Sequence, residues 1–263
     1  MLQMIEALLL ISAAIGQVHS ATTAEPILPL DMALSSVDDQ YDGCTDKMAK
    51  LVTTKLLETE LSSSTEFNTA WQKSKGKEPK EALTKNHMIA IYVYTDSIYK
   101  SLNEADRHDR EKYIDKTYKW YSLHFLLTEA IQILKKTQKS CYSTYRSVHR
   151  EFDKNVLNKE VRFGSFTSSS LNKKVAEMYS DKSCFEVNTC YGADITNYSR
   201  IPDEEEVLIP PYEKFKVTAV KTKSVQKMLW CDTVFVLKST GIISNLNCAL
   251  FKEPTNSVNV VAG

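Results

Sequence analysis

The sequence predicts an α+β fold, a helical lobe followed by a lobe of short strands. Apolar residues recur at intervals of three and four through the first half, from about Met32 to Thr137. Beyond Cys141 that period gives way to short segments rich in β-branched and aromatic residues, set apart by Gly, Pro, Asn and Asp. Helices first and strands later is the order of an α+β arrangement, whereas a parallel sheet would alternate the two. No linker, internal repeat or low-complexity tract divides the chain. Residues 21–263 therefore read as one domain, with a helical lobe over about 31–140 and a β lobe over about 141–252.

Taken in order, the elements begin with an apolar run, Ala7 to Ile15, too short to span a bilayer. Val18-His19-Ser20 then offers the small-residue spacing of a signal-peptidase site, so residues 1–20 read as a cleaved signal peptide. Glu6 stands before the run where Lys or Arg is usual, leaving the terminal amine as the positive charge there. A weak helical pattern covers Asp46 to Leu61. Ser62 to Lys80, rich in Ser, Lys and Glu, has no clear period and reads as surface helix or loop. Met88, Ile91, Ile98 and Leu102 mark a second helix whose apolar face is broken by Thr95. Leu123, Leu126, Leu127, Ala130, Ile131 and Leu134 mark a third, with Lys135 and Lys136 favourably placed at its C-terminal end. Strands are expected at Val161–Phe163, Phe185–Val187, Val207–Ile209, Phe215–Val220 and Thr233–Leu237, with a helix at Leu171–Tyr179 between the first two.

With 43% hydrophobic and 25% charged residues in 263, the chain can bury a substantial core. Its 33 Lys and Arg balance 33 Asp and Glu, and no basic block is interleaved with aromatics, which argues against a nucleic-acid partner. The six cysteines, Cys44, Cys141, Cys184, Cys190, Cys231 and Cys248, lack metal-ligand spacing. In an exported chain an even set favours disulfides, with fifteen connectivities open to it. The small residues near the C-terminus are not followed by the apolar tail of roughly 10 to 20 residues that a lipid-anchor signal needs. The expected product is a secreted, unanchored monomer that uses no metal.

The segment Asp203-Glu204-Glu205-Glu206-Val207-Leu208-Ile209-Pro210-Pro211 runs from carboxylates into a buried strand closed by prolines. Alone, the acidic run reads as a solvated face. On an extended backbone Glu204 and Glu206 share one side and Glu205 takes the other. Two carboxylates on one site raise each other's pKa and suit chemistry that stabilises positive charge and handles a proton.

Upstream stand Tyr145-Arg146-Ser147-Val148 and Arg162-Phe163-Gly164-Ser165-Phe166-Thr167-Ser168-Ser169-Ser170-Leu171. An Arg, a Ser triplet closing a strand, and Glu-x-Glu, in that order, resemble the signature of the arginine-specific mono-ADP-ribosyltransferases, most closely their vertebrate ecto-enzyme branch. Ser122–Thr128, Phe185–Ala193 and Glu204–Phe215 resemble further family segments, and the likeness runs from about Leu30 to Glu253. It implies NAD or NADP as co-substrate, held through its phosphates by the bidentate guanidinium of Arg146. Ser168 would support the nicotinamide ribose and the catalytic carboxylate, although Ser170 shares its face on an extended strand. Glu206 would meet the oxocarbenium character that builds as the ribose–nicotinamide bond breaks. Glu204 would orient an acceptor guanidinium and take its proton, making arginine on extracellular proteins the acceptor. Glu205 should be dispensable, and His149 and Trp230 have packing or surface roles.

The same resemblance implies the disulfides Cys44–Cys248 and Cys141–Cys190, which leaves Cys184 and Cys231 either to pair with each other or to stay free. Two features modulate the expectation. Ser147 stands where the family often has Gly and could crowd the approach of NAD. Asn197-Tyr198-Ser199 is a glycosylation sequon just ahead of the carboxylates, where a glycan could block substrate. Two other readings use the same residues: an NAD glycohydrolase with water as acceptor, and a secreted binding protein that kept the fold and lost catalysis.

Overall fold

A computed structural model of the chain describes residues 26–252. The proposed signal peptide and the extreme C-terminus, with the anchor question attached to it, lie outside the described residues. The helical part comprises α1 (Thr45–Leu51), a π-helical turn (Val52–Leu56), α2 (Leu57–Ser63) and α3 (Thr65–Lys73). It continues through α4 (Lys85–Val93), a second π turn (Tyr94–Ile98), α5 (Tyr99–His108), α6 (Arg110–Ile114) and α7 (Tyr121–Lys135). The long helices fall where apolar periodicity puts them, with Leu123, Leu127, Ala130 and Ile131 of α7 fully buried. The unpatterned stretch after Ser62 contains α3, capped at Ser64, whose side chain accepts from the Phe67 amide. Phe67 and Trp71 anchor it in the core.

The second half supplies β1 (Tyr142–Val148), β2 (Glu160–Val161), β3 (Thr167–Ser170), α8 (Lys173–Glu177), β4 (Ser183–Thr189) and β5 (Ala193–Asp194). After a 3-10 turn (Pro202–Glu204) come β6 (Glu206–Ile209), β7 (Glu213–Thr222) and β8 (Thr233–Ile242). These strands form one sheet in the order β2-β7-β8-β4-β1-β3-β6-β5. All neighbours are antiparallel except β4 and β8. One core joins the helices to the β3–β6–β5 side of the sheet through Phe166, Ala193, Ile195 and Leu208. A second, with Phe185, Phe215, Phe235 and Leu237, fills the β4–β7–β8 side.

Where the strand expectation at Val161–Phe163 fails, an ion pair is the reason. Only Glu160 and Val161 pair with β7. Arg162 instead turns inward, its Nη1 2.6 Å from Asp38 Oδ2 with both side chains fully buried, and its Nε donates to the Met32 carbonyl. Asp38 also accepts from the Asn245 and Leu246 amides, so this pair ties both ends of the described chain to the sheet. Gly164 then reverses the backbone at φ +72°, where a Cβ would meet the Ala33 Cβ at 2.6 Å, and β3 starts from that bend.

All six cysteines are bonded: Cys44–Cys248 and Cys141–Cys190, which the resemblance implied, and Cys184–Cys231, which it left open. The first closes a separation of 204 residues. In the chain-entropy account a loop of that size contributes about 5 kcal/mol. Among the described residues no helix is long and apolar enough to cross a membrane.

Candidate active site

A cleft of about 360 Å³ opens between the helical lobe and the middle of the sheet. Arg146, Ser168, Glu204 and Glu206, separated by up to 60 positions in sequence, all line it. The sheet brings three of them together. β3 lies between β1 and β6, pairing Tyr145 with Ser170 on one side and Ser168 with Leu208 on the other. Arg146 Nη1 donates to the Ser168 carbonyl at 2.7 Å, which sets the guanidinium against the strand that carries the serine. Burial pulls the Arg146 pKa below its ordinary value, yet a guanidinium keeps its charge at any physiological pH.

Glu206, the first residue of β6, is 4% exposed. Burial is the main cause that pushes its carboxyl up to about 7, and the neighbouring Glu204 charge adds to it. Hydrogen bonds from Ser168 and Ser199 and the charge of Arg146 pull the other way. The Ser199 hydroxyl donates to Glu206 Oε2 at 3.2 Å. The sequence left Ser168 and Ser170 open, and the geometry separates them. The Ser168 side chain faces Glu206 and Tyr94, whereas Ser170 Oγ accepts from the Asn172 amide at the start of α8. Ser169 Oγ donates to the Val207 carbonyl.

Glu204 reaches the same cleft by a route the extended-strand expectation did not contain. The strand begins only at Glu206; Glu204 ends the 3-10 turn opened by Pro202, and Glu205 adopts the left-handed conformation with φ 47°. That reversal turns Glu205 away, where its Oε1 accepts from Asn172 Nδ2 at 3.0 Å and its carbonyl accepts from the Leu171 amide. The outcome, Glu204 and Glu206 on one site and Glu205 off it, is as expected, but a turn produces it and not the alternation of a strand. Glu204 is half-buried and accepts from the hydroxyl of Tyr179, just past the end of α8.

Residues of the helical lobe that the sequence analysis did not single out complete the walls. Tyr94, Thr95, Asp96, Tyr99 and Asn103 face the cleft from the second π turn and α5. The Tyr94 hydroxyl donates to the Phe166 carbonyl at 3.2 Å and accepts from Asn103 Nδ2 at 3.1 Å, a buried link between α5 and the residue before β3. Thr95 Oγ1 accepts from the Arg200 amide at 2.8 Å, tying the turn that leads to Glu204 onto the helices. The signal for this wall was the polar Thr95 on an otherwise apolar face. Ser147 is buried with its hydroxyl 2.5 Å from the Ala176 carbonyl, so its polar atom is spent on α8. Trp230 packs on Tyr145 and donates to Glu186, a wall-supporting position.

The comparisons with known proteins agree with one another. Residues 30–230 match the sequence profile of the family described as NAD:arginine ADP-ribosyltransferase. An NAD(P)(+)--arginine ADP-ribosyltransferase 2 of Gallus gallus is 35% identical over 258 residues, covering 93% of this chain and 80% of that protein. A T-cell ecto-ADP-ribosyltransferase 1 of Mus musculus is 35% identical over 243 residues, 88% of this chain and 80% of that protein. The crystal structure of the eukaryotic mono-ADP-ribosyltransferase ART2.2 superposes with a TM-score of 0.72 at 33% identity, covering 86% of this chain and all of that one. Variants of that enzyme have been crystallised with NADH and with NAD.

Proposed function

This chain belongs to the vertebrate NAD:arginine ADP-ribosyltransferase family, and from that premise we propose that it transfers ADP-ribose from NAD to arginine side chains of extracellular proteins, releasing nicotinamide. The family uses NAD as co-substrate. The observation that carries the proposal is the convergence of Arg146, Ser168, Glu204 and Glu206 on one cleft, each held by a different element of the sheet or its turns.

The division of labour follows from burial and partners. Arg146 offers paired N–H donors to phosphate oxygens of NAD while its own position is set by the Ser168 carbonyl. Glu206, desolvated and flanked by two serine hydroxyls, presents a carboxylate to the positive charge that builds on the ribose as the bond to nicotinamide breaks. In so dry a place one charge stabilises another far more than it would in water. Glu204 stands at the solvent side of the same cleft, where an incoming guanidinium can be oriented and relieved of its proton as its nitrogen attacks the ribose carbon. Tyr179 holds the Glu204 carboxylate until that guanidinium replaces it.

Extracellular action is supported by three disulfides, which persist in oxidising compartments, and by the ecto-enzyme among the relatives. The test of function is incubation with NAD labelled in the ADP-ribose part, with and without agmatine as a small guanidine acceptor. Label appearing on agmatine supports transfer. Label appearing only as free ADP-ribose would make the protein a glycohydrolase, and intact NAD would leave a binding protein of the same fold.

A further inference from the structure

The sequence contains one Asn-x-Ser/Thr motif, Asn197-Tyr198-Ser199, and the structure places it in the turn that leads to the cleft residues Ile201 and Glu204, with Ser199 on Glu206. Asn197 is exposed, in a tight turn closed by hydrogen bonds from the Tyr198 and Ser199 amides to the Ile195 carbonyl. The chain then passes directly to Ile201 and Glu204, both lining the cleft, and is pinned at Arg200 to Thr95 on the opposite wall. Ser199 is buried, its hydroxyl donating to Glu206 and accepting from the Ile201 amide. Two residues of backbone span at most about 7 Å, so Asn197 is rooted beside a residue in contact with the Glu206 carboxylate.

We propose that Asn197 carries an N-linked glycan and that this glycan screens the mouth of the cleft, admitting small or flexible guanidines while disfavouring arginines on broad folded surfaces. Glycan transfer acts on the nascent chain, before Ser199 is buried, so the later engagement of its hydroxyl with Glu206 does not prevent modification. Once folded, the exposed Asn197 side chain directs the sugar outward, and the hydrogen-bonded turn gives it a fixed root. NAD needs only the cleft itself, whereas a protein acceptor must also bring its surface up to the rim that holds Glu204. The glycan therefore acts on acceptor choice and not on NAD cleavage. This second half rests on the transferase reading above; the modification itself does not.

Ser199 is the wrong position for the test, because its removal would take away both the glycan and a bond to Glu206. Asn197→Gln removes the glycan alone. The full chain, expressed in cultured vertebrate cells as wild type and as Asn197→Gln, is first digested with N-glycosidase, and the peptide spanning Asn197 is weighed. Deamidation at Asn197 in the wild type is expected; an unmodified Asn197 overturns the proposal. Transfer to agmatine and to ribonuclease A is then measured for both forms. The variant should match the wild type on agmatine and on NAD hydrolysis, and exceed it on ribonuclease A by a kcat/KM ratio on the order of tenfold. An unchanged ratio, or no transfer to ribonuclease A by either form, overturns the screening. Absence of transfer to agmatine in both forms, with the wild type glycosylated, would instead overturn the transferase reading and the screening with it.

Discussion

The floor and the rim of the cleft each carry one carboxylate, and the two are held in opposite ways. On the floor, Glu206 begins β6, one strand in from the sheet edge, is 4% exposed, faces Ser168 and accepts from Ser199. On the rim, Glu204 ends a short 3-10 turn, is half-buried, and is bonded to Tyr179, itself 52% exposed. A group that must meet a charge at a fixed point benefits from rigid, dry surroundings. One that must accept varied partners has to be reachable from solvent. In the proposed reaction, two glutamates separated by one residue would divide bond breaking from acceptor capture, with the left-handed Glu205 at the boundary between their two settings.

The largest expected effect is on the floor. Glu206→Gln keeps the shape and removes the charge, so NAD cleavage and transfer should both fall by a factor on the order of a hundred or more. Single-turnover assays of nicotinamide release would show it, with circular dichroism confirming the fold. Near-normal cleavage would break the comparison at its base. Glu204→Gln should be more selective: transfer to agmatine falls about a hundredfold, the scale of a lost general base, while hydrolysis of NAD stays within about tenfold. Equal losses in both reactions would mean that floor and rim are not separate.

How much of this was legible in sequence differs between the two regions for a physical reason. On the floor, Arg146, Ser168 and Glu206 are named by the resemblance and not by any local pattern, and the structure has all three lining one cleft from neighbouring strands. Two of the disulfides followed from the resemblance, and the structure adds the third, Cys184–Cys231. The helical wall left a single trace in the sequence, the polar Thr95 on an apolar face. A π turn at Tyr94–Ile98 adds a residue to the helix, so a regular period cannot show that Thr95, Asp96 and Tyr99 turn toward the cleft while Ile98 and Leu102 stay in the core. Tyr94 meets Phe166 across 72 positions, a contact no local pattern carries. At the rim, alternation along a strand would set Glu204 beside Glu206, and the structure brings both to the cleft by another means, the turn that Pro202 opens.

A smaller effect follows from pH and sharpens the account of the floor. Because burial raises the Glu206 carboxyl to about 7, it is largely protonated at pH 6 and largely ionised at pH 8. Cleavage needs the charged form, so kcat/KM for NAD hydrolysis should rise with pH, by about tenfold across those two units, since that parameter reports the free enzyme. A flat profile over this range would show either that Glu206 is already ionised in the free protein or that its charge is not required. The same measurement on Glu206→Gln should lose the slope along with most of the rate.

The smallest expected effect is at Glu205, and it tests the boundary between the regions. Its side chain leaves the cleft and accepts one hydrogen bond from Asn172, which Gln can still accept through its amide oxygen. The backbone there is the sensitive part. A non-glycine residue at φ 47° is held against its own preference, and the bond from the Leu171 amide to the Glu205 carbonyl helps hold it. Gln changes neither the backbone preference nor that bond, so Glu205→Gln should leave cleavage and transfer within a few-fold of wild type. Its thermal midpoint should also remain close to that of wild type. The three glutamates then rank in opposite order to their exposure to chemistry-neutral change: loss at Glu206 stops both reactions, loss at Glu204 stops one, and loss at Glu205 stops neither. If Glu205→Gln behaved like Glu204→Gln, the turn would not be sorting the carboxylates, and the rim would have to be read as a diffuse acidic patch in which position along the chain does not matter.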